Sequence, residues 1–486
     1  MDRENHEGER SMDLANRRTL LKTIGAAGIA GLAGCTGGGD GGDGGDGGDG
    51  GDGGDGDDGS DGGDGGDGGA ATTSPRQHEP IGNWPPDGDT ALLGYNADQS
   101  GALAPEGQQG RRGFYLAIKH LNNNEGPVAM TDSLSGNGVL GYTLEGVDAD
   151  GQAQAEPSIE NINRMIDRDG VQAFFGGISS TVTKAGMPIA QRKKVPYSGA
   201  ISTSGGISGK DCSRYYWHKS GHSEYFGRAA GRMLPEAIGE DKSMYHIYVD
   251  YSYGMSNRDA HNKYLADQGS WENLGGTSIA VGELDHSAQI ADLEESGADV
   301  LVFTSFGGLA RAGLKQMADS GILSEIEVVI PHMTGFTISA SGPEAQGVLG
   351  FAPWVRQFSG ENEFAQSFVE SFQSEYDQPA TQSAAMAYGG VTQWAAMAEA
   401  QGTMHPPSVI EELEKGWNWN NVMGPETYRK CDHSAERRIF LAKGLAPENR
   451  DDTNYSLEQV DVTEPFIYPC DAFPASDCKM DSMSLE

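Results

Sequence analysis

From Thr90 onward the chain alternates short apolar runs with longer segments whose apolar residues recur at three- and four-residue spacing, and no other feature constrains the fold as much. Strands are expected at 91–95, 142–147, 171–175 and 196–200. Between them, a helix is expected over 107–122, where Phe114, Ala117, Ile118 and Leu121 fall at i, i+3, i+4 and i+7, and another over 159–166. Strands joined through helices pair in parallel, because a parallel pair needs a long crossover. After a break around 218–223 the pattern restarts, with strands expected at 244–249, 277–281, 300–304 and 328–330 and with Ala310, Gly313, Leu314 and Met317 on one helix face. The expected fold class is therefore α/β, with two doubly wound parallel-sheet lobes. Lobe 1 takes 90–220 and 350–425; lobe 2 takes 221–349 and 426–446. Phe364, Phe368 and Phe372, then the small-residue helix 383–400, have no strands of their own and are expected to pack on the first lobe. A last strand-like run at 437–443 precedes an irregular tail, 447–486.

Open parallel sheets bind ligands beyond the carboxyl ends of their strands. The strongest such place is 171–190, VQAFFGGISSTVTKAGMPIA, where an apolar run breaks at Gly176-Gly177 and Ser179, Ser180 and Thr181 open a helix. The N–H groups and positive dipole end of such a helix suit an anionic or strongly polar group. Other strand ends offer Ser100 and Glu106, then 200–204 with Ala200 and Ser202. In the second half they offer Asp250, Tyr251 and Tyr253 in VDYSYG, Ser305 and Phe306 in TSFGG, and Met333-Thr334 in PHMTG. Each alone reads as a turn or cap; their recurrence at every strand end points to a site.

Enzyme readings find little support. No Gly-x-Ser-x-Gly stands at a strand-to-helix turn, and neither a Gly-x-x-x-x-Gly-Lys nor a His-Glu-x-x-His is present. Gly176-Gly177 is too short for a dinucleotide turn. His218, His222, His246, His261, His286 and His332 show no metal-ligand spacing and read as surface or turn residues. No cofactor and no metal are expected.

The first 35 residues read as an address. Arg17-Arg18, two leucines and Lys22 precede a weakly apolar, Gly/Ala-rich run too short to span a membrane, which ends in Leu32-Ala33-Gly34-Cys35. This pattern resembles a twin-arginine export signal with a lipoprotein cleavage box, so Cys35 is the expected lipidation site and the only membrane attachment. Residues 36–75 are dominated by Gly-Gly-Asp repeats, with nothing to bury, and are expected to be a disordered tether. With 71 acidic against 34 basic residues, the formal net charge is -37. That balance excludes a nucleic-acid partner, which needs a basic face, and fits a surface kept hydrated in concentrated salt. Beyond Cys35 there remain Cys212, Cys431, Cys470 and Cys478, an even number in a chain expected to be exported, and so two disulfides are expected. Three pairings are open; the reading leans to a local Cys470–Cys478 pair with Cys212–Cys431 as the long one.

The succession ALLGYNADQSGALAPEGQQGRRGFYLAIKHLN, DGVQAFFGGISSTVTKAGMPIA, VPYSGAISTS, DYSYG and ADVLVFTSFGGLARAGLKQMADSGI resembles the type 1 solute-binding proteins of ABC importers, in the branched-chain amino acid, amide and urea branch. The resemblance runs from about Thr90 to Lys443. It implies three hinge crossings, near 218–223, 347–353 and 424–427, and closure of the lobes on a small polar solute for delivery to membrane permease subunits. It implies that Ser179, Ser180 and Ser202 hold a carboxylate or amide oxygen, that the Ala200 carbonyl takes a donor, and that Tyr253 and Phe306 cover the solute from the other lobe. The family's acidic residue against a ligand ammonium is replaced here by Met333 or Thr334, leaving Glu106 or Asp250 to take that part. A branched-chain amino acid is the first expected ligand, with an amide, urea or small carboxylate as alternatives. A ligand-sensing module on the same clamshell is the alternative role. The expected location is the outer face of the cell membrane.

Overall fold

A computed structural model describes residues 78–451, 456–465 and 468–486. The export signal, Cys35 and the Gly/Asp tract lie outside the described residues.

The chain first builds a five-stranded, all-parallel sheet in the order β2-β1-β3-β4-β5. Its strands are β1 (Thr90–Ala97), β2 (Thr143–Asp150), β3 (Ala173–Gly176), β4 (Tyr197–Gly199) and β5 (Tyr216–His218). Helices α1 (Ala104–Asn123), α2 (Ala155–Arg164) and α3 (Ser180–Lys193) connect them. β3 and β4 are buried along their whole length, as expected where helices cover both faces of a parallel sheet. β5 is three residues long and has no apolar run, so the sequence pattern did not announce it.

The second sheet has seven strands in the order β15-β14-β10-β9-β8-β6-β7. Helix α4 (Ser223–Ile238) leads into β6 (Ser243–Val249), followed by α5 (Ser252–Asn262), β7 (Glu272–Ile279), α6 (Ser287–Ser296), β8 (Val300–Thr304), α7 (Gly307–Ser320), β9 (Glu327–Ile330), α8 (Gly335–Ala340) and β10 (Leu349–Ala352). β6 to β10 run parallel. β7 starts five residues before the expected 277–281 and ends before Val281, which is 61 % exposed. It is an edge strand, and ENLGGTSI carries too few apolar side chains to reveal its length.

The chain then returns to the first sheet through α9 (Glu363–Tyr376), α10 (Gln382–Gln401) and α11 (Pro406–Glu414). α10 is buried from Gln382 to Ala398, and it lies along α1 so closely that a Cβ on Gly113 would stand 2.2 Å from the Ala384 carbonyl oxygen. Small residues on both helices permit this approach. Three short strands, β11 (Asn418–Asn421), β12 (Gly424–Tyr428) and β13 (Ala435–Glu436), form a separate antiparallel sheet. Ser434 bridges to His218 of β5, so this sheet stays with the first lobe. The passage back to the second sheet therefore falls between Glu436 and Phe440, later than 424–427. β14 (Phe440–Gly444) and β15 (Leu457–Val462) complete the second sheet by antiparallel pairing.

Where the crossings meet, Lys219, Glu426 and Arg437 are all fully buried. Lys219 Nζ lies 2.5 Å from one Glu426 oxygen, and Arg437 pairs with the other. Removing one member of such a group leaves an uncompensated buried charge, worth about 3–5 kcal/mol.

The cysteine pairing differs from the expected one: Cys212 joins Cys478 and Cys431 joins Cys470. The reason is the path of the tail, which carries Cys470 and Cys478 past different parts of the body instead of closing one on the other. Tyr468 donates its hydroxyl to Glu224 of α4 at 3.0 Å on the second-lobe side. The last residues lie against the first lobe, where Arg214 Nη1 reaches the Met483 carbonyl at 3.0 Å, Lys194 Nζ the Ser484 carbonyl at 2.9 Å, and the Tyr215 hydroxyl the Leu485 carbonyl. The tail thus returns from the second sheet to the first lobe, and both disulfides fasten it there, Cys470 to the loop between β12 and β13 and Cys478 to the segment between β4 and β5.

Candidate functional site

The carboxyl ends of both sheets face one another across a cleft. Leu103, Glu106, Ile178, Ser180, Ile201 and Ser202 line it from the first lobe; Tyr251, Tyr253, Phe306, Gly307, His332, Thr334 and Thr337 line it from the second. They enclose about 40 Å³ of space open to the centres of water molecules, room for a few waters at roughly 10–15 Å³ each. A larger hollow of about 380 Å³, edged by Lys242, Asp299, Glu325 and Glu344, opens at the amino-terminal ends of the second sheet's strands. That is the wrong end of an open sheet for a ligand.

The first-lobe wall is built at the start of α3. Gly176 and Gly177 have φ of 121° and 73°, conformations that suit glycine, and they turn the chain sharply from β3 into the helix. Ser179 is the N-cap, its Oγ accepting from the Val182 N–H at 3.2 Å, while its own N–H donates to Asp98 at 2.8 Å. Asp98, fully buried at the end of β1, also accepts from the Ala153 N–H at 2.8 Å. Burial pushes its carboxyl up, and the hydrogen bonds from Ser179 and Ala153 oppose the shift. Sequence reasoning missed Asp98, which gave no signal beyond standing after a strand. Ser179 is thus occupied with its own helix and does not line the cavity. Ser180 does line it, and its Oγ is buried without a hydrogen-bond partner.

Ser202 lines the cavity beside it, fixed by a 2.9 Å bond from Thr183 Oγ1. Ala200 is buried behind this wall, and its N–H donates to the Gly176 carbonyl at 2.6 Å. Its neighbours Ile201 and Ser202 reach the cavity in its place.

Glu106 sits in the first turn of α1, 4 % exposed. One carboxyl oxygen accepts from Ser383 Oγ of α10 at 2.5 Å; the other, Oε1, has no hydrogen-bond partner among the described residues. Burial pushes this acid up, with Ser383 and Thr334 opposing the shift.

On the second lobe Tyr251, Tyr253 and Phe306 cluster with ring centroids 5.8–6.1 Å apart. Phe306 is also the N-cap of α7, and Thr334 caps α8 by accepting from the Thr337 N–H at 3.1 Å. Asp250 is exposed and does not line the cavity. Met333 is fully buried and does not line it either. His332 does line it, next to Gln382 and the Phe226 ring. Burial lowers its pKa to about 3, so it is neutral at ordinary pH. The surface half of the histidine reading is corrected: His218, His222, His246, His261 and His286 are at most 1 % exposed and His332 is 7 %, and while His222, His286 and His332 do stand in loops, His218, His246 and His261 lie in β5, β6 and α5. Single histidines carry no burial signal unless the element around them is identified first. Among the described residues no cluster of His, Cys, Asp and Glu is placed to hold a metal ion.

Two sheets, one parallel and one mainly parallel, with a cleft at their facing carboxyl ends form the frame of a clamshell receptor, and the family comparison agrees. The model of the family described as "Periplasmic binding protein" matches residues 92–448. The chain belongs to this family. It is a solute-binding receptor and not an enzyme. A curated relative, the Leu/Ile/Val-binding protein homolog 1 of Brucella suis, is 26 % identical over 350 residues, covering 69 % of this chain and 85 % of the relative. Among solved structures, a solute-binding protein of an ABC transporter from R. palustris in complex with benzoate superposes with a TM-score of 0.68 at 18 % identity, covering 80 % of this chain and 99 % of the other. The branched-chain amino acid transporter substrate-binding protein LivJ of Streptococcus pneumoniae, in complex with isoleucine, gives 0.66 at 18 %, covering 77 % and 100 %. At that identity these two speak to the fold alone.

Proposed function

We propose that this receptor captures a branched-chain amino acid and delivers it to the permease subunits of an ABC importer. The observation that carries the reading is the division of the cleft into two unlike walls. Ser180, Ser202 and the start of α3 offer hydroxyls and a positive dipole end to a carboxylate. Tyr251, Tyr253 and Phe306 offer an apolar face to a side chain. Helix geometry leaves the first N–H groups of α3 without partners inside the helix, and those of Ser180 and Thr181 are the ones available to a ligand oxygen. Thr334 and Glu106 border the same space. A leucine-sized solute exceeds the present cavity, so it enters when the lobes part and is enclosed when they close. The names of the Brucella relative and the pneumococcal structure support the amino-acid class.

The same reading places the receptor on the outer face of the cell membrane, exported through a twin-arginine signal and held by a lipid on Cys35 at the end of a Gly/Asp tether. The two disulfides suit an oxidising exterior, and the acidic surface suits high salt. A second reading, a receptor for an aromatic or other small carboxylate, is favoured by the aromatic trio and by the benzoate-bound neighbour. A thermal-shift screen in concentrated salt separates them, because a ligand that binds only the folded state raises the melting temperature by mass action. Shifts with leucine, isoleucine or valine support the first reading. Shifts with benzoate or another carboxylate alone support the second, and shifts with amides or urea alone overturn both.

A further inference from the structure

Glu106 is an uncommon group to find in a cleft otherwise suited to an anion. The first-lobe wall beside it sets the hydroxyls of Ser180 and Ser202 and a helix start among apolar Leu103, Ile178 and Ile201, so a second negative charge there is unfavourable unless something neutralises it. The protein supplies no such group, since neither lysine nor arginine lines the cavity. His332 is held neutral by burial, and the other ionisable neighbours, Tyr95, Tyr251 and Tyr253, are buried phenols whose pKa burial pushes up. A buried carboxylate without a cation is expensive to keep charged. Ser383 accounts for one of its oxygens; Oε1 accepts no close hydrogen bond among the described residues, and the Thr334 hydroxyl across the cleft favours the charged form less than Ser383 does. The aromatic faces of Tyr251, Tyr253 and Phe306 line the same cavity, and such faces also favour a cation. Asp250 is exposed outside the cavity, and neither Met333 nor Thr334 carries a charge.

We propose that Glu106, reaching into the cleft from the first lobe, receives the protonated amine of the solute, and that this selects amine-bearing carboxylates over carboxylates without an amine. This rests on the receptor reading above and names the group that decides its substrate class. The amine supplies the missing cation and a donor for Oε1, while the serine wall takes the carboxylate. An amine-free carboxylate meets the same wall with nothing to offer Glu106, and it forces the acid either to stay protonated or to repel it.

The experiment is isothermal titration of the full-length protein and its Glu106→Gln variant with three probes: L-leucine, 4-methylpentanoate, which is leucine without the amine, and benzoate. The expected wild-type result is leucine binding roughly 100-fold tighter than 4-methylpentanoate, as for a buried hydrogen-bonded charge pair. Glu106→Gln should lose most of that advantage while 4-methylpentanoate binding holds or improves. Its melting temperature without ligand should not fall, because the change removes a buried acid and keeps its shape. A purely structural role for Glu106 would weaken all probes together and leave the leucine-to-methylpentanoate ratio unchanged, which overturns the proposal. Tighter binding of 4-methylpentanoate or benzoate than of leucine by the wild type overturns it too, and leaves the receptor reading standing. Binding of none of the three overturns both.

Discussion

Ser179 and Ser180 are neighbours in the chain with opposite surroundings. The Ser179 hydroxyl closes the first turn of α3 and its N–H is held by Asp98; the Ser180 hydroxyl is buried, unpartnered and at the cavity. Ser179→Ala should therefore lower stability by about 1 kcal/mol, the usual worth of an N-cap, and change affinity mainly through that loss. Ser180→Ala should leave the melting temperature nearly unchanged and weaken leucine binding by roughly 5- to 10-fold, the worth of one hydrogen bond. Paired melting and titration curves test this; equal effects of the two substitutions on affinity would contradict the assignment. The strand-to-helix turn that makes this site was legible, because Gly-Gly followed by hydroxyl residues has a direct conformational meaning. Which of the two serines faces the ligand was not, since it depends on Asp98, 81 residues from Ser179 in the chain and adjacent only through the sheet.

At the scale of elements, the start of α7 meets the turn before α1 across the cleft. Gly307 has φ of 50°, and a Cβ there would stand 2.4 Å from the Ala102 carbonyl oxygen of the opposite lobe. Gly307→Ala is expected to oppose closure while leaving each lobe's own packing intact, weakening leucine affinity by about 10-fold. The positive φ adds strain of roughly 1–2 kcal/mol whether the lobes are open or closed. Gly297→Ala supplies the control, with φ of 64° and nothing within 4 Å. Scattering profiles taken with saturating leucine should show Gly307→Ala more open than Gly297→Ala, and identical profiles would contradict the contact. The elements themselves were readable in proportion to their burial. β8, buried at every position, was expected at its observed bounds. Edge strand β7, the three-residue β5 and the small sheet β11–β13 were mislocated or missed, because short or half-exposed strands carry too few apolar residues to show a period.

Over the whole molecule, the tail explains why the cysteine pairing could not be read: a local pair presumes that the tail closes Cys470 on Cys478, and it instead runs from α4 on one lobe to Cys212 on the other. The same lobes hide many histidines, and this makes stability depend on pH. Burial lowers His218 and His261 to about 4, and His246 and His332 to about 3, against about 6.5 in an unfolded chain. The folded values lie below the unfolded one, so the unfolded state binds protons first on acidification. The stability held by neutral burial is complete above about pH 6.5 and is lost as pH falls towards 4. At pH 5.5 each such histidine should reduce stability by about 1 kcal/mol, and four together approach the whole stability of an ordinary domain, about 5–15 kcal/mol. Glu106, Asp98 and Glu436, pushed up by burial, act in the opposite sense, but they number three against the four histidines. Exposed carboxylates titrate near pH 4 and stay ionised between 6.5 and 5.5, so relief of the chain's acidic repulsion does not mask the effect in that window. The melting temperature at fixed salt should be level from pH 8 to 7 and fall steeply between 6.5 and 5.5. A level curve through that interval would mean that these imidazoles find water or partners on protonation, and that the burial seen around them is not maintained in solution.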